Sequence, residues 1–330
     1  MSTCVVLFQL GGPDSLEAVE PFLFNLFSDP DIIQFPFARL ARPVMARLIS
    51  SHRARHVQEH YAGIGGRSPI RELTERQAAA LEAELRPSLD ARVLVAMRYW
   101  HPLCKEAVAE IANDSVRQLV LLPLYPQYSK TTTGSSLNDW TRQWAAIGAT
   151  PPPTQVVREF YNHPLYLDSV VKKINEGLSR LIHRSEVHLV FSAHGVPVSV
   201  IEGGDPYQAQ IEATTRLVME RGAWANPHRL CYQSRVSPGR WLEPSLSQTI
   251  RDLAGAGARN LLVIPISFVS DHVETLAEIN LEARALARSV AVEQFELMPA
   301  LNDSPTFIRA LADLVRGALQ ACSPCLQNLH

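Results

Sequence analysis

The chain has 330 residues, 46% of them hydrophobic, with a formal charge of −2 and a pI near 6.6. This length predicts a globular protein of about two domains, and the balanced charge argues against nucleic acid as a partner. Scattered cysteines and an N-terminal stretch that lacks the pattern of a signal peptide favour a reducing compartment, the cytoplasm. The apolar runs are far shorter than the roughly 20 residues that a membrane helix requires.

Four short runs rich in Val, Ile and Leu predict buried parallel strands. In chain order they are residues 5–10, 119–124, 187–192 and 261–268. Helical patterns lie between them, for example at residues 71–85 and 208–221. Strands that alternate with helices predict βαβ units and an α/β fold.

An internal repeat relates the two halves of the chain. RQLVLLPLYPQYS, from residue 117, matches RNLLVIPISFVSD, from residue 259, in register. We therefore predict two similar α/β domains, residues 1–152 and 153–330, each with a parallel sheet flanked by helices. Because ligands of open parallel sheets bind beyond the carboxyl ends of the strands, the four strand ends should converge on one cleft between the domains.

The first half contributes two segments that suit a flat, apolar ligand. Residues 21–49, from Pro21 to Ile49, hold five of the eleven phenylalanines and several arginines, so they form either buried core or an exposed lip that receives a ligand or touches a membrane. YPQYSKTTTGSS, residues 125–136, combines hydroxyls with two tyrosines. Because no Walker or G-x-G-x-x-G pattern follows, nucleotide binding is not indicated.

The second half contributes the groups that can move protons. His194 follows a predicted strand, beside Gly195, although a histidine bound only to a neighbouring backbone group would look the same. Asp271 and Glu274 could form a helix-capping box, but Glu278 lies one turn beyond Glu274 on the same helical face. Carboxylates in a line at a strand end indicate proton transfer or delivery of a cation.

Another set of histidines has helical spacing, His52, His56 and His60. Spacing of four residues could place metal ligands on one face of a helix. Arginines lie between them and no apolar residues frame the face, so we predict a solvated surface instead.

Eight motifs occur in one order along the chain: LGGPDS, YAGIGGRSPI, MRYWHPL, LYPQYSKTTTGSS, FSAHGVP, GDPY, CYQSRVSPGRWLEPS and FVSDHVETLAEI. Together they resemble the ferrochelatase family over nearly the whole chain. The resemblance implies two Rossmann-like domains with the active site between them. It also implies a lyase that inserts Fe²⁺ into protoporphyrin IX to form protohaem, releasing two protons in the last step of haem synthesis. Fe²⁺ is then a substrate, and no cofactor is required.

The resemblance also assigns roles to individual residues. His194 and Glu274 would be the catalytic, metal-contacting pair across the pocket. Asp271, Glu278 and, in a supporting role, His272 would continue a hydrophilic path for iron or protons. Arg98 could pair a propionate of the porphyrin. Positions that match the porphyrin pocket are Leu10, Arg98, Tyr99, Tyr125, Ser129, Trp241 and Phe268, and residues 21–49 match a lip that faces the bilayer in membrane-associated members.

The sequence departs from the family pattern at two places. Some members hold a [2Fe–2S] cluster with four cysteines, but here Lys130 occupies the loop position and only Cys322 and Cys325 remain near the C-terminus. We therefore predict no cluster, with Cys4, Cys104 and Cys231 left as unorthodox alternatives. Leu10 also replaces other side chains of the family, which leaves the tilt of the porphyrin open.

Several alternatives stay open on sequence alone. A chelatase of the same architecture could act on coproporphyrin or insert cobalt into a less oxidised tetrapyrrole. A porphyrin or haem carrier would need the pocket walls but not the His194–Glu274 pair, and a dinucleotide-binding oxidoreductase would need a glycine fingerprint that is missing. The protein could be a monomer or a homodimer, either cytoplasmic throughout or peripheral at the inner membrane face. Imidazole and carboxylate accept several divalent metals, so metal preference is also open.

Overall fold

The computed structural model describes residues 3–32, 38–235 and 239–321, without the side chains of residues 38–40. In these ranges the strands form two four-stranded parallel sheets with equivalent strand orders, β2-β1-β3-β4 and β6-β5-β7-β8. The first sheet consists of β1 (Thr3–Gln9), β2 (Ala91–Met97), β3 (Gln118–Pro123) and β4 (Thr154–Val156). The second consists of β5 (His188–His194), β6 (His228–Gln233), β7 (Asn260–Pro265) and β8 (Gln294–Leu297). The predicted α/β class and its parallel sheets are confirmed.

Helices connect the strands and cover both sheets. In the first half they are α1 (Val19–Phe27), α2 (Ala38–Gly63), α3 (Ile70–Leu85), α4 (Cys104–Ala112) and α5 (Ser135–Ala146). In the second half they are α6 (Pro164–Leu178), α7 (Val198–Glu202), α8 (Tyr207–Gly222), α9 (Leu246–Gly255), α10 (Arg284–Ser289) and α11 (Pro305–Gln320), with a short 3₁₀ turn at Arg184–Glu186. Two π-helices, Lys130–Gly134 and Glu274–Ala283, follow β3 and β7.

Burial explains why the central strands are continuous apolar runs. Every residue of β1 and β7 is buried, because helices cover both faces of each sheet. Val5 of β1 lies opposite Val93 and Val120 on the two neighbouring strands, so branched side chains pack along the sheet.

The long helices α6 and α11 both begin with a proline. Proline suits the first helical turn because backbone N–H groups there have no hydrogen-bond acceptor within the helix.

The two sheets share one large hydrophobic core. This cluster includes Leu7 and Leu122 from the first sheet together with Phe191 and Ile264 from the second. Helix α11, at the C-terminal end of the described chain, packs on both α3 and α6 and so spans the halves. The shared core fixes the two sheets relative to each other, which a cleft between them requires.

Strand β4 lies just after the predicted boundary between residues 152 and 153, and it pairs with β3 of the first sheet. The first sheet therefore extends to Val156. The proline-rich stretch before β4 leads into this edge strand.

Across residues 3–32, 38–235 and 239–321, no helix combines the length and apolar character needed to cross a bilayer.

Candidate active site

The carboxyl ends of β1, β3, β5 and β7 converge on one cavity, as the parallel topology predicts. Its walls are mostly apolar, with a few hydroxyls and one histidine–carboxylate pair. The lining residues are Gln9, Leu10, Ile70, Leu124, Tyr125, Gln127, Ser129, Thr131, Thr132, His194, Val196, Tyr207, Ser267, Phe268, Val269, Ser270, His272 and Glu274.

His194 is the last residue of β5, and the backbone around it is fixed on both sides. Its N–H donates to Ser267 Oγ at 2.9 Å, and its carbonyl accepts from Tyr207 Oη at 2.9 Å. Gly195 must be glycine, because a Cβ there would lie 2.8 Å from the Gln233 carbonyl oxygen. The imidazole, with 34% of its side chain exposed, therefore has a defined position at the edge of the cavity.

His194 and Glu274 form a close pair. His194 Nδ1 lies 2.8 Å from Glu274 Oε2, and the carboxylate is only 14% exposed. Burial opposes the charged form of each group, but their mutual attraction outweighs it. The carboxylate thus raises the pKa of His194, and the imidazole helps to hold the pKa of Glu274 well below its usual range. The structure brings together the two residues that the sequence assigned to the centre of the site.

His272 lies behind this pair and supports it. The ring is 6% exposed, Nδ1 lies 3.2 Å from the Ser270 carbonyl, and Nε2 lies 3.8 Å from the second oxygen of Glu274. Phe268 packs between the two histidines, with ring centroids 4.3 Å from His272 and 6.2 Å from His194. His272 thus lies within reach of Glu274, and its orienting role stays a prediction.

Glu278 continues the acidic line outward. Ser234 Oγ lies 2.9 Å from Glu274 Oε2 and 2.5 Å from Glu278 Oε2, so one hydroxyl connects the two carboxylates. Burial and the negative charge of Glu274 raise the pKa of Glu278 to about 7, against the opposing effect of the Ser234 hydrogen bond. Glu278 also lines a separate groove beside α9 that opens to solvent.

Asp271 does not join this line. Its carboxylate accepts hydrogen bonds from Thr275 Oγ1 at 3.1 Å and from Asn302 Nδ2 at 3.0 Å, and it faces a different groove. The capping box between Asp271 and Glu274 also does not form, because Glu274 turns to His194 and Asn302 Oδ1 accepts from the Asp271 N–H instead. Any path through Asp271 would therefore leave on the other side of the π-helix.

The predicted porphyrin-pocket residues divide into two groups. Leu10, Tyr125, Ser129 and Phe268 line the cavity. The other three lie outside its lining: Tyr99 is buried behind the wall, Arg98 is 12% exposed in a separate groove, and Trp241 faces the groove beside α9.

A carboxylate from the second half fixes the wall made by the first π-helix. Asp205 Oδ2 accepts from Ser129 Oγ at 3.0 Å and from the Lys130 N–H at 2.7 Å. Lys130 Nζ also donates to the Gly203 carbonyl at 2.6 Å. Lys130 thus takes part in a contact between the two halves of the chain.

Sequence reasoning missed Ser234, Ser267 and Tyr207 as individual site residues. Ser234 and Tyr207 lie in motifs and Ser267 in the internal repeat, but none has a chemical signature that distinguishes it from an ordinary loop or helix residue. Their roles depend on hydrogen bonds to His194 and the acids, which only the folded backbone defines.

The described cysteines are buried. Cys4 and Cys104 lie in one hydrophobic cluster and Cys231 in another. Burial is the main cause that raises the pKa of Cys4 to about 11 and of Cys231 to about 12, and it also raises that of Cys104. Cys322 and Cys325 lie outside the described residues.

The helical histidines of α2 lie at the surface, as predicted. His52 and His56 are exposed, and His60 Nε2 lies 3.1 Å from Glu282 on the second π-helix. In the described ranges, no three His, Cys, Asp or Glu side chains are arranged to hold a metal ion.

The fold and the cavity at its strand ends define a two-domain α/β protein of the chelatase type. SirB from Bacillus subtilis, solved with Fe³⁺, shares this fold at a TM-score of 0.57 and 9% identity, with 97% of each chain covered. The Ferrochelatase family profile matches residues 2–319. Ferrochelatases of Geotalea uraniireducens and Geobacter metallireducens are each 50% identical, over 95% and 96% of this chain and 97% and 98% of theirs.

The chain belongs to the ferrochelatase family and is a lyase of haem synthesis that inserts ferrous iron into a porphyrin. The family, fold class and enzyme class predicted from the sequence are confirmed.

Proposed function

We propose that the porphyrin substrate is protoporphyrin IX, and that the His194–Glu274 pair performs the central proton and metal chemistry. The observation that carries this proposal is the 2.8 Å contact between His194 Nδ1 and Glu274 Oε2 at the edge of an apolar cavity. The apolar walls suit the face of a flat macrocycle, and its central nitrogens would come to rest near the pair.

His194 acts as the base that accepts a pyrrole proton. In the neutral imidazole, Nδ1–H donates to Glu274, so Nε2 has a lone pair available for the proton. The imidazolium that forms stays beside the Glu274 carboxylate, which is why the pKa of His194 is raised. The same imidazole and carboxylate can contact Fe²⁺ as it enters the ring, since both are suitable ligands for divalent iron.

Glu278 then carries the proton towards solvent. Ser234 joins the Glu274 and Glu278 carboxylates, so a proton can pass between them through its hydroxyl. Because the pKa of Glu278 is about 7, it can both accept and release a proton near neutral pH. Its ionised form is the acceptor, so we expect insertion to rise with pH through about 7.

Binding energy at the periphery of the ring would be used to bend it. Metal insertion requires that pyrrole lone pairs leave the macrocycle plane, and contacts with the rim can stabilise that bent form. The Phe268 ring, packed against His272 next to the pair, supplies a firm surface against the centre of the macrocycle.

The charge of the cavity favours protoporphyrin over coproporphyrin. The residues that line the cavity in the described part of the chain include no Lys or Arg. Protoporphyrin has two propionates and coproporphyrin four, so the second would bring more negative charge to a wall that offers no basic side chain. A coproporphyrin substrate is therefore the second candidate.

The test is anaerobic insertion of Fe²⁺ into each porphyrin, followed by absorbance. We expect a higher kcat/KM with protoporphyrin IX, abolition of activity by His194→Ala, and a loss of at least about 100-fold in kcat for Glu274→Gln. His52→Ala, which removes an exposed histidine of α2, is the control and should retain wild-type activity.

Two results would contradict the proposal. A higher kcat/KM with coproporphyrin would move the substrate to the second candidate. Insertion by His194→Ala at the wild-type rate, with porphyrin binding intact, would exclude the pair as the centre of the chemistry.

We further propose a cytoplasmic protein that contacts the inner membrane face through α2. Val44, Met45 and Leu48 are 63%, 41% and 67% exposed, and Arg47 is exposed between them. An apolar face beside a basic residue suits the surface of an anionic bilayer. The face lies within residues 21–49, of which 33–37 are outside the described part.

Vesicle co-sedimentation tests this contact. We expect binding to vesicles that contain anionic lipid, weaker binding to neutral vesicles, and loss of binding when Val44, Met45 and Leu48 are all replaced by Ser. Ile147→Ser, which removes an exposed apolar side chain elsewhere, is the control. Equal sedimentation of the triple variant and the wild type would refute the proposed surface.

We also propose that the enzyme works without a cofactor or a [2Fe–2S] cluster. Lys130 is engaged with the Gly203 carbonyl, and the three described cysteines are divided between two hydrophobic clusters. Iron and acid-labile sulfide analysis of the aerobically purified protein should find no stoichiometric sulfide. A stoichiometric sulfide content would refute this proposal.

A further inference from the structure

Asp29, just beyond the end of α1, has a fully buried carboxylate in a dense set of hydrogen bonds. Its side chain is 0% exposed, and Oδ1 lies 2.9 Å from Arg98 Nη2. Oδ2 accepts from Tyr99 Oη at 2.6 Å and from the hydroxyl of Ser135. Oδ1 also accepts from the Asp31 backbone N–H at 2.8 Å. A buried carboxylate with this many donors is held in one position.

Arg98 is bound by the same network, although its side chain also lines a separate open groove. Nε donates to Ser135 Oγ at 2.8 Å, Nη2 faces Asp29, and Nη1 lies 3.6 Å from Asp139 Oδ2. The side chain is 12% exposed. Although burial alone would raise the pKa of Asp29, Arg98 and the two hydroxyl donors lower it, so the pair is ionic. A guanidinium with its edges directed this way is not presented to a ligand carboxylate.

The Asp29 carboxylate joins three segments that build the cavity and its rim. Asp29 itself lies within residues 21–49, where Phe22 and Leu23 pack in one hydrophobic cluster against the cavity residue Leu10, so this segment borders the cavity as its rim. Tyr99, at the end of β2, donates its N–H to the carbonyl of the cavity residue Leu10 at 3.0 Å. Ser135 directly follows the first π-helix, whose Thr131 and Thr132 line the cavity. Asp29 therefore connects the rim to two walls without touching the cavity.

We propose that Asp29 is a positioning residue for porphyrin binding, and that Arg98 acts as its counter-ion rather than as a propionate ligand. Ionic hydrogen bonds to a buried carboxylate are directional, so they fix the rim relative to the walls. Asp29 thus acts on how well the cavity is preorganised for the macrocycle. It should not act on the chemical step, because the His194–Glu274 pair and Glu278 lie on other elements.

The test is the steady-state kinetics of Asp29→Asn, which preserves shape and removes the charge. We expect KM for the porphyrin to rise about tenfold while kcat stays within about twofold, because uniform binding is lost and the chemistry is not. KM for Fe²⁺ should not change. Asp31→Asn is the matched control, since Asp31 lies two residues away and pairs with Asn138 and Arg142 at the surface. Its KM should remain at the wild-type value.

A double-mutant cycle with Arg98→Met separates positioning from direct binding. If Arg98 only neutralises Asp29, Asp29→Asn/Arg98→Met should bind porphyrin no more weakly than either single variant. The dimethyl ester of the porphyrin, which lacks the propionate charges, should lose the same fold in affinity as the diacid. The double variant also avoids an unpaired buried charge, so it provides a folded protein if Asp29→Asn is unstable.

Three results would overturn the proposal. One is additive losses of porphyrin affinity in the cycle. Another is an effect of Arg98→Met that disappears with the dimethyl ester, since that would identify a propionate ligand. The third is a fall in kcat for Asp29→Asn without a rise in KM for the porphyrin. If Asp29→Asn does not fold, the same result for the double variant counts instead.

Discussion

Replacing Glu278 with Gln should make the protein more stable at high pH relative to wild type. Glu278 is confined between Glu274 and Ser234, and burial together with the Glu274 charge raises its pKa from 4.5 to about 7. A carboxyl whose pKa is higher in the folded state binds its proton more tightly there. Its contribution to stability is therefore complete below about pH 4.5 and is lost as the pH rises through about 7. Glutamine has nothing to titrate.

The size of the effect follows from the shift in pKa. The change from 4.5 to about 7 corresponds to roughly 3 kcal/mol at full burial. Glu278 is only half-buried, and solvent screening reduces the expected difference to about 1–2 kcal/mol. The free energy of unfolding of wild type should thus fall by that amount relative to Glu278→Gln between pH 5 and pH 8.5.

Urea denaturation of both proteins at several pH values measures this difference. Glu220→Gln is the control, because Glu220 lies on α8 with 58% of its side chain exposed and does not belong to the acidic line. The difference between wild type and Glu220→Gln should change little over this range. Stability curves of wild type and Glu278→Gln that stay parallel from pH 5 to 8.5 would refute the reasoning.

Three further substitutions test the structure around the site. Gly195→Ala should lower the free energy of unfolding by about 1–3 kcal/mol, because the new methyl group would lie 2.8 Å from the Gln233 carbonyl oxygen. An unchanged midpoint of urea denaturation would contradict this close packing. Ser234→Ala removes a hydrogen bond that lowers the pKa of Glu278, so the pH midpoint of insertion should rise by about 0.5–1 unit. An unshifted pH–rate profile would count against proton transfer through Ser234 and Glu278. Lys130→Met removes the contact with the Gly203 carbonyl at an exposed position, so the free energy of unfolding should fall by about 0.5 kcal/mol while the rate of insertion is unchanged. A larger fall in urea denaturation would show that this contact holds the two halves together.

The strands and the central pair were predictable because their signals are local in sequence. A continuous run of Val, Ile and Leu indicates a strand buried on both faces, and β1, β3, β5 and β7 all lie within or next to such runs. Parallel topology then brings the strand ends together, which is enough to place His194 near Glu274 although 80 residues separate them.

The partners of Arg98 could not be predicted in the same way. Arg98 follows a strand, where an arginine can face either a ligand or the protein. Its partner Asp29 is 69 residues earlier in the chain. Asp29 lies just after α1, on a segment that packs beside the end of β2. Pairing across that distance depends on the path of a connecting segment, which apolar periodicity does not specify.

The sequence pattern also could not predict which side of the second π-helix each acidic residue faces. Asp271 and Glu278 are both acidic and both near Glu274, yet only Glu278 shares its hydrogen-bond partner. Asp271 comes before the first π-helical turn, where the chain still faces Asn302. Helical spacing relates residues within a helix and gives no direction for the residue that precedes it.

The two π-helices occupy the same place in the repeated topology, directly beyond the third strand of each half. The first presents the neutral hydroxyls of Ser129, Thr131 and Thr132 to the cavity, whereas the second carries Glu274 and Glu278. A symmetrical scaffold therefore serves two unequal tasks. If the proposed proton path holds, changes in the first segment would alter which macrocycle fits, and changes in the second would alter how protons leave. Substrate range and reaction rate can accordingly diverge independently during evolution, although one repeated unit underlies both.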